Sequence, residues 1–324
     1  MQNLRILHIS DLHYSNTNKN EIEYIKNAIL HDIDSFIIKS ILLPNFIIFS
    51  GDLVFKPDND ISSIQVLEEA YKFFIEPLLK KLSLTKDDVF ITSGNHDINR
   101  SILTRGNKNG LLSYLEDKKT SNELIDEIIN KRIDITHMKQ FNNFINSLKN
   151  SHEVYANDIF RVYKKTIGKI EIGIINLNSN ILSFDDKSYG NLLIGEEQLK
   201  SAYKYIEDCD IKIANIHHSI NWLVWFEQQL VKKFYYKNFN LVFIGHEHME
   251  QPELVNFNDE DTLIVNSASI FQGRNNTNGY SLLDYSFSDK SIDIYVREYD
   301  DREAKFRTVT FQEDSNKYKY YFNI

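Results

Sequence analysis

The stretch TSGNHDINR, residues 92–100, places Gly94, Asn95, His96 and Asp97 in unbroken succession. The run VFI just before it is apolar and rich in residues that favour strands. Strand-like and helical patterns alternate across the first third of the chain, which predicts a layered α/β core. We therefore expect these four residues to lie at the carboxyl end of a buried strand.

Four further strand-like runs end in acidic or imidazole side chains in the same manner. The loops beyond the carboxyl ends of strands form the ligand crevice of open α/β sheets, so these residues are expected to converge from distant positions. Any one fragment alone is ordinary turn chemistry, but core packing does not explain five such strand ends in order. The residues that follow the four further runs are Asp11 and His13, Asp52, His217 and His218, and His246 and His248.

The residue types in this set are those that bind divalent transition metals. Imidazoles, carboxylates and one amide occur together, and the single cysteine, Cys209, lies in a polar stretch away from them. This composition excludes a thiolate zinc finger and favours a site for manganese, iron, zinc, cobalt or nickel. Gly51, Gly94 and Gly245 precede the candidate ligands, and a sharp backbone turn is expected at each of them.

Taken in order, Asp-x-His, Gly-Asp, Gly-Asn-His-Asp, a later His and a final Gly-His-x-His resemble the calcineurin-like metallophosphoesterase superfamily. The resemblance extends from about residue 4 to about residue 297 and leaves a helical segment outside it. It implies a four-layered α/β/β/α sandwich of two mixed sheets, to which the polar helical pattern of residues 98–150 adds an inserted helical cap. It also implies two metal ions, one bound by Asp11, His13 and His248, the other by Asn95, His217 and His246, with Asp52 bridging both.

The two implied divalent ions, of which manganese is expected first, indicate hydrolytic chemistry. Cations on the order of 4 Å apart lower the pKa of a shared water, hold it in line with a phosphorus atom and stabilise charge on the phosphoryl oxygens. His96 would then stabilise the transition state or protonate the leaving oxygen. Asp97 is expected to accept a hydrogen bond from the other ring N–H of His96 and to orient the ring.

Two further residues beside the motifs are candidates for substrate contacts. Arg100 could bind a phosphate through two hydrogen bonds, and a surface ion pair is its alternative role. His218 follows the implied ligand His217 and is expected either to support that ligand or to face the substrate. Ser219 stands where many members of the superfamily have proline, a departure with little expected effect on metal binding.

The chain is predicted to form one phosphoesterase domain over residues 1–312, with a helical cap inserted at about 98–155 and a tail over 313–324. Residues 98–150 contain nine Lys or Arg and six Asp or Glu, a net charge of +3, whereas the whole chain carries -9. The cap could close over a small nucleotide, contact a nucleic acid backbone or present a solvated face. The N-terminus resembles neither a signal peptide nor a membrane span, so a cytoplasmic protein without a membrane partner is expected.

The motifs indicate a reaction type more firmly than a substrate. LHISDLH, GNHD and the double histidine look most similar to the bacterial branch that contains cyclic nucleotide phosphodiesterases. We therefore expect a phosphodiesterase for a small nucleotide or another phosphodiester. A nuclease of the repair type is the first alternative, although the acidic composition disfavours it. A metal-bound sensor or binding module without turnover is the second.

Overall fold

Two mixed β-sheets pack face to face and carry helices on their outer faces. The computed structural model describes residues 3–55, 63–185, 187–248, 252–257, 260–273, 276–309 and 317–321. Three buried apolar clusters define the layers, because one lies between the sheets and one lies beneath each helical layer. The predicted α/β/β/α sandwich is confirmed.

The described strands form two sheets. In chain order they are β1 (Leu4–Ile9), β2 (Phe46–Phe49), β3 (Val89–Ile91), β4 (Glu153–Ala156), β5 (Phe160–Ile167), β6 (Ile170–Leu177), β7 (Ile211–Ile216), β8 (Leu241–Ile244), β9 (Pro252–Phe257), β10 (Glu260–Asn266), β11 (Gly279–Ser286), β12 (Ser291–Asp300), β13 (Lys305–Thr308) and β14 (Tyr318–Tyr321). The first sheet has the order β13-β12-β11-β1-β2-β3, with β14 also paired to β12. The second has the order β4-β5-β6-β7-β8-β10-β9.

The central strands of both sheets are parallel and buried on both faces. Strands β1, β2 and β3 run parallel in the first sheet, as do β6, β7, β8 and β10 in the second. Along β1, Ile6 packs between the sheets and Leu7 packs against the helices, and Ile48 and Phe49 of β2 divide in the same way. Strands β2 and β8 consist only of apolar residues, and β1 and β7 are each interrupted by two polar ones. Such near-continuous apolar runs are typical of parallel strands buried on both faces.

Helices flank both sheets. Helix α1 (Lys19–Asp32) continues into a π-helical segment (Ile33–Ile38), and α2 (Ser63–Ala70) joins α3 (Glu76–Leu82) through a second one (Tyr71–Ile75). The remaining α-helices of the described residues are α4 (Arg105–Leu112), α5 (Lys118–Ile129), α6 (Lys139–Leu148), α7 (Glu196–Tyr203) and α8 (Trp225–Asn238). Within the described chain, we find no helix with the length and apolar character needed to cross a lipid bilayer.

The inserted segment is helical, but its helices pack into the two existing helical layers. Phe144 of α6 joins the core outside the first sheet, where its ring centroid lies 5.9 Å from that of Tyr71. Ile128 of α5 joins the core outside the second sheet, beside α7. The helices end at Leu148 and β4 begins at Glu153, so the last residues of the predicted insertion belong to the second sheet.

Some boundaries differ from those predicted. The helical spacing of apolar residues over 21–43 predicts one helix, which ends with the π-helical segment at Ile38. A second helix predicted from the sequence over about 221–233 lies at α8. Strands β4, β9 and β14 are not predicted from the sequence. Because β14 pairs with β12, the part of the predicted tail that contains it belongs to the first sheet.

A buried ion pair fastens α1 to the first sheet. The guanidinium of Arg297 on β12 donates to both carboxylate oxygens of Asp32, with 2.8 Å between Nε and Oδ2. The hydroxyl of Tyr280 donates to the same carboxylate, and the guanidinium lies 4.2 Å from the ring centroid of Phe36. Only 3% of Asp32 and 6% of Arg297 is exposed, so both charges depend on protein partners.

Candidate metal centre

The polar motifs meet where parallel strands of both sheets end. Strands β1, β2 and β3 reach this edge from the first sheet, and β7 and β8 reach it from the second. Backbone hydrogen bonds join the first two loops, since the amide of Asp11 donates to Gly51 (2.9 Å) and the amide of His13 donates to Asp52 (3.0 Å). The fold thereby brings together side chains up to 237 positions apart in the chain.

Five of the seven implied metal ligands have a left-handed backbone. Their φ values are 55° at Asp11, 49° at His13, 57° at Asp52, 63° at His246 and 55° at His248. Asp and His enter this region more readily than bulky residues do, yet the conformation costs on the order of 1 kcal/mol each. These left-handed residues lie in the loops just beyond β1, β2 and β8, where the ligand atoms converge.

Asp11, His13 and His248 form the first ligand group. Nε2 of His248 lies 3.2 Å from Oδ1 of Asp11, and Nε2 of His13 lies 3.8 Å from the same oxygen. One ligand atom from each residue lies within 4.8 Å of the others. The group therefore offers one carboxylate and two imidazoles, a donor set suited to a divalent transition metal.

Asn95, His217 and His246 form the second ligand group. Nε2 of His217 lies 2.9 Å from Oδ1 of Asn95 and 3.2 Å from Nδ1 of His246. Nδ1 of His217 lies 2.7 Å from the backbone carbonyl oxygen of Ser50. Because a carbonyl oxygen only accepts, Nδ1 carries a proton in this bond, and Nε2 is the nitrogen that faces the group, as in metal-binding histidines.

Asp52 connects the two groups. Its Oδ2 lies 3.4 Å from Nε2 of His217 and 3.9 Å from Nδ1 of His13. Oδ2 of Asp52 and Nδ1 of His13 are buried and make no hydrogen bond within the described chain. A buried carboxylate oxygen without a donor is costly unless a cation satisfies it. The residues present therefore fit two metal ions, with Asp52 between them.

The buried carboxylates and imidazoles shift one another's pKa values. Against the effect of burial, Asp52 raises the pKa of His217 to about 9, so a metal ion bound at Nε2 would displace a proton from this ring. Although burial opposes the shift, the neighbouring His217 holds the pKa of Asp52 well below its usual value. Burial lowers the pKa of His246 to about 3 and that of His96 to about 4. At neutral pH Asp52 is therefore ionised and these two imidazoles are neutral, the forms in which such side chains bind metals.

Gly51 and Gly94 are required for different reasons. A Cβ atom on Gly94 would lie 2.0 Å from Oδ1 of Asp52, so the close approach of the two loops leaves no space for a side chain. Gly51 has a φ of 96°, which residues with a Cβ atom rarely adopt. The predicted sharp turn is thus found at Gly51, whereas Gly94 provides space.

Asp97 supports the loops and not the ring of His96. Its Oδ2 accepts hydrogen bonds from the amides of Gly94 (2.7 Å) and Asp52 (2.9 Å), and its Oδ1 accepts one from the amide of Val54 (3.1 Å). Nδ1 of His96 is buried and makes no hydrogen bond with the described residues. The predicted hydrogen bond between His96 and Asp97 is therefore wrong, because backbone amides already occupy both carboxylate oxygens.

Asp97→Asn is expected to weaken metal binding by about 10-fold to 100-fold, as found for residues that hold metal ligands in place. The side-chain NH2 would face a backbone N–H, so at least one hydrogen bond is lost and the loop of Asp52 is less firmly placed. Calorimetric titration with Mn²⁺ measures the change. Asp117→Asn is the matched control, because asparagine caps α5 as well as the exposed aspartate does. Equal affinities of Asp97→Asn and wild type would contradict this role.

His96 lies beside Asp52 and the first ligand group. Its amide donates to Oδ1 of Asp52 at 2.7 Å, and its Nε2 lies 4.0 Å from Oδ2 of that residue. Its ring stacks on Phe55, with centroids 5.2 Å apart and planes 17° from parallel, and meets His13 edge-on at 5.0 Å. Packing between two rings therefore holds the imidazole beside the candidate metal ligands.

The two remaining candidates lie on the side of the second ligand group. His218 is buried, with Nδ1 2.8 Å from the hydroxyl of Ser179 and its ring centroid 4.5 Å from that of His246. This placement favours support of the second group over substrate contact. Arg100 is half-buried and donates from Nη2 to the hydroxyl of Ser183 at 3.1 Å. Its role as a phosphate ligand stays a prediction.

Two aromatic side chains contact the candidate residues of the centre. Phe55 stacks on His96, and Trp222 meets His246 edge-on with centroids 4.3 Å apart. Phe55 lies in an apolar stretch that indicates only packing, whereas Trp222 lies in HHSINWL, residues 217–223, which resembles the double-histidine segment of the superfamily. The position of Phe55, three residues beyond Asp52 and past the end of β2, is the one signal that could have identified it.

A cavity of about 440 Å³ opens at these residues. Its size is within the range of sites for small ligands. Besides candidate metal ligands and His96, its described wall includes Phe55, the start of α1 with the loop before it, and residues 271–273. No described lining residue comes from the inserted segment, so the insertion does not form a lid here.

Comparisons with known proteins agree with this geometry. A model of the calcineurin-like phosphoesterase family matches residues 4–250. The chain is 24% identical over 253 residues to the uncharacterized metallophosphoesterase-like protein YydB of Bacillus subtilis (strain 168), in an alignment that covers 76% of this chain and 49% of that protein. The chain thus spans about half the length of this curated relative.

Two solved structures are similar to this chain at low sequence identity. Purple acid phosphatase PPD1 from yellow lupin (Lupinus luteus) seeds is 12% identical with a TM-score of 0.49, covering 96% of this chain and 57% of that one. Vps29 of Chaetomium thermophilum is 12% identical with a TM-score of 0.35, covering 99% and 100%. Because the family model covers most of the chain, including both ligand groups, this protein belongs to the calcineurin-like phosphoesterase family.

Proposed function

We propose that this chain hydrolyses a nucleotide-type phosphodiester with two divalent metal ions, manganese first among them. The observation that carries the proposal is the position of Oδ2 of Asp52 between two ligand groups, with His96 beside it. When bound, the ions would supply an activated water and stabilise charge on the phosphoryl oxygens. Family membership supports phosphoester hydrolysis. The likeness of the motifs to cyclic nucleotide phosphodiesterases supports the diester.

His96 is the side chain that we assign to assist the proposed hydrolysis. Attack of water on phosphorus breaks one P–O ester bond and leaves negative charge on the departing oxygen. A neutral imidazole keeps one N–H, which can donate to that oxygen or to a phosphoryl oxygen. Because Phe55 and His13 already hold the ring, it need not reorient when substrate binds.

The alternatives differ from the proposal in substrate or in turnover. In the sequence, the positive charge of the inserted segment favours a nuclease. In the structure, the helices of that segment pack into the helical layers and do not line the described cavity. A binding module without turnover requires neither a complete ligand set nor His96 beside it. The arrangement of the centre therefore supports a small diester and catalysis.

Metal removal and replacement tests this proposal. Protein treated with a chelator and reloaded with Mn²⁺ is expected to hydrolyse bis(p-nitrophenyl) phosphate, and to hydrolyse p-nitrophenyl phosphate more slowly. The chelated protein is expected to be inactive, because Asp52 and His96 do not activate water without the ions. Initial rates of p-nitrophenol release measure both reactions.

Each departure from that result has a defined meaning. If the protein hydrolyses the monoester faster than the diester, the assigned activity changes from phosphodiesterase to phosphatase. Cleavage of linear DNA without cleavage of cyclic nucleotides would establish the nuclease. Absence of turnover with manganese, iron, zinc, cobalt and nickel would refute the enzymatic proposal and leave the binding module.

A further inference from the structure

Phe55 presents an aromatic ring at the metal centre. It is 48% exposed, whereas Phe46 and Phe49 of the preceding strand are fully buried. It also lines the cavity that contains the metal-binding residues. A large apolar side chain that is half-exposed inside such a cavity contributes little to the core and is available to a ligand.

The backbone holds this ring in a fixed place. The amide of Phe55 donates to the carbonyl of Tyr14 at 2.8 Å, and the amide of Tyr14 donates to the carbonyl of Leu53 at 3.1 Å. Tyr14 is itself fully buried, and its hydroxyl donates to Glu69 at 2.6 Å. A preorganised ring needs little further ordering when a ligand binds, so its contact surface is used efficiently.

The orientation of the ring relates it to the reacting centre. Phe55 lies nearly parallel to His96, with 17° between the planes and 5.2 Å between the centroids, and meets His13 edge-on at 5.9 Å. Phe55 therefore adjoins both the proposed catalytic imidazole and a ligand of the first group. A planar group attached close to a phosphate at this centre would reach the exposed part of the ring.

We infer that Phe55 binds a planar heteroaromatic ring of the substrate, so that the substrate class is a phosphodiester with a nucleobase next to the scissile phosphate. This inference rests on the proposed function and narrows it. Every nucleobase has an aromatic face, so stacking on Phe55 selects for a base without selecting among bases. Phe55 is then a specificity-determining residue that also positions His96.

Substrates with and without a base test the inference. Dithymidine monophosphate is compared with two analogues, one abasic on the 3′ side and one abasic on the 5′ side, in the presence of Mn²⁺. For one of the two sides, the ratio of kcat/KM with the base to kcat/KM without it is expected to be about tenfold or more in the wild type. The ratio is expected to fall to near one in Phe55→Ala and to persist in Phe55→Trp.

A matched control separates this effect from general loss of aromatic surface. Trp225→Ala removes a ring that is 78% exposed and is not among the described lining residues of the cavity, so it should leave the ratio unchanged. If Phe55→Ala slows base-bearing and abasic substrates equally, Phe55 only positions His96 and the inference is refuted. A wild-type ratio near one on both sides refutes it as well.

A binding measurement distinguishes failure of the inference from failure of the proposed function. If the wild type hydrolyses no diester, the proposed function fails, and saturation-transfer NMR of Zn²⁺-loaded protein with thymidine 5′-monophosphate becomes the test. Saturation of the base protons that is lost in Phe55→Ala would support stacking on this residue. Absence of base saturation in the wild type would contradict it.

Discussion

Asp52→Asn is expected to lower kcat/KM for bis(p-nitrophenyl) phosphate by more than about 100-fold, beyond the loss typical of residues that only support metal ligands. Oδ2 of Asp52 lies between His217 and His13 and has no hydrogen-bond donor in the described chain. Asparagine keeps the shape but removes the negative charge shared by both groups. Elemental analysis of the dialysed protein is expected to show fewer bound Mn²⁺ ions per chain than in the wild type.

Asp208→Asn is the matched control for this substitution. It also removes one carboxylate charge, but that side chain is 71% exposed and pairs with Lys164 far from the centre. Exposed pairs of this kind contribute little, so activity and metal content should equal those of the wild type. Full activity of Asp52→Asn with a normal metal content would exclude the bridging role.

Asp32→Asn is expected to lower the free energy of unfolding by about 3–5 kcal/mol, the range for a buried pair that loses one partner. The substitution leaves the Arg297 guanidinium buried without its counter-charge, while Tyr280 and Phe36 still surround it. Urea unfolding followed by circular dichroism measures the shift in midpoint, and an unchanged slope identifies it as a change in stability.

Asp34→Asn provides the comparison for this second substitution. Asp34 lies two residues further along, in the π-helical segment that continues α1, and pairs with Lys81 at 2.5 Å, but 52% of its side chain is exposed. Its loss is expected to cost less than about 1 kcal/mol because water replaces the partner. Equal losses in the two variants would show that burial does not determine the contribution of the Asp32 pair.

The residues of the centre could be predicted from the sequence where the strands before them have a recognisable apolar pattern. Buried parallel strands such as β2 and β8 are continuous apolar runs, and β1 is mostly apolar. A polar residue after such a run marks the carboxyl end. Asp11, Asp52 and His246 are recognisable for this reason. Convergence of their side chains follows from the topology of parallel strands alone.

Side-chain partners could not be predicted in the same way. The sequence pairs the carboxylate of Asp97 with the nearest imidazole, that of His96. In the folded chain, the carboxylate instead accepts hydrogen bonds from three backbone amides. Unsatisfied backbone donors are created only by the folded loops, so no sequence pattern reports them. The stacking of Phe55 on His96 likewise joins loops from two different strands.

The strands missed by prediction are those with the weakest apolar pattern. Strand β9 begins with Pro252 and lies at the edge of the second sheet, as expected for a strand that contains proline. Strands β4 and β14 have four residues each, none of them buried. Such strands form because a neighbour offers free backbone groups, and this information lies in the neighbour's sequence.

The left-handed backbone of the candidate ligands affects which substitutions a duplicate of this protein would tolerate first. If a duplicate of the gene were released from selection for catalysis, replacement of His13 or His248 by glycine or asparagine would relieve backbone strain. Such changes would be neutral or favourable for folding, whereas changes in the strands would not. Random substitution would therefore remove the candidate ligands before it disrupts the sandwich, and it would leave a folded protein without the metal centre.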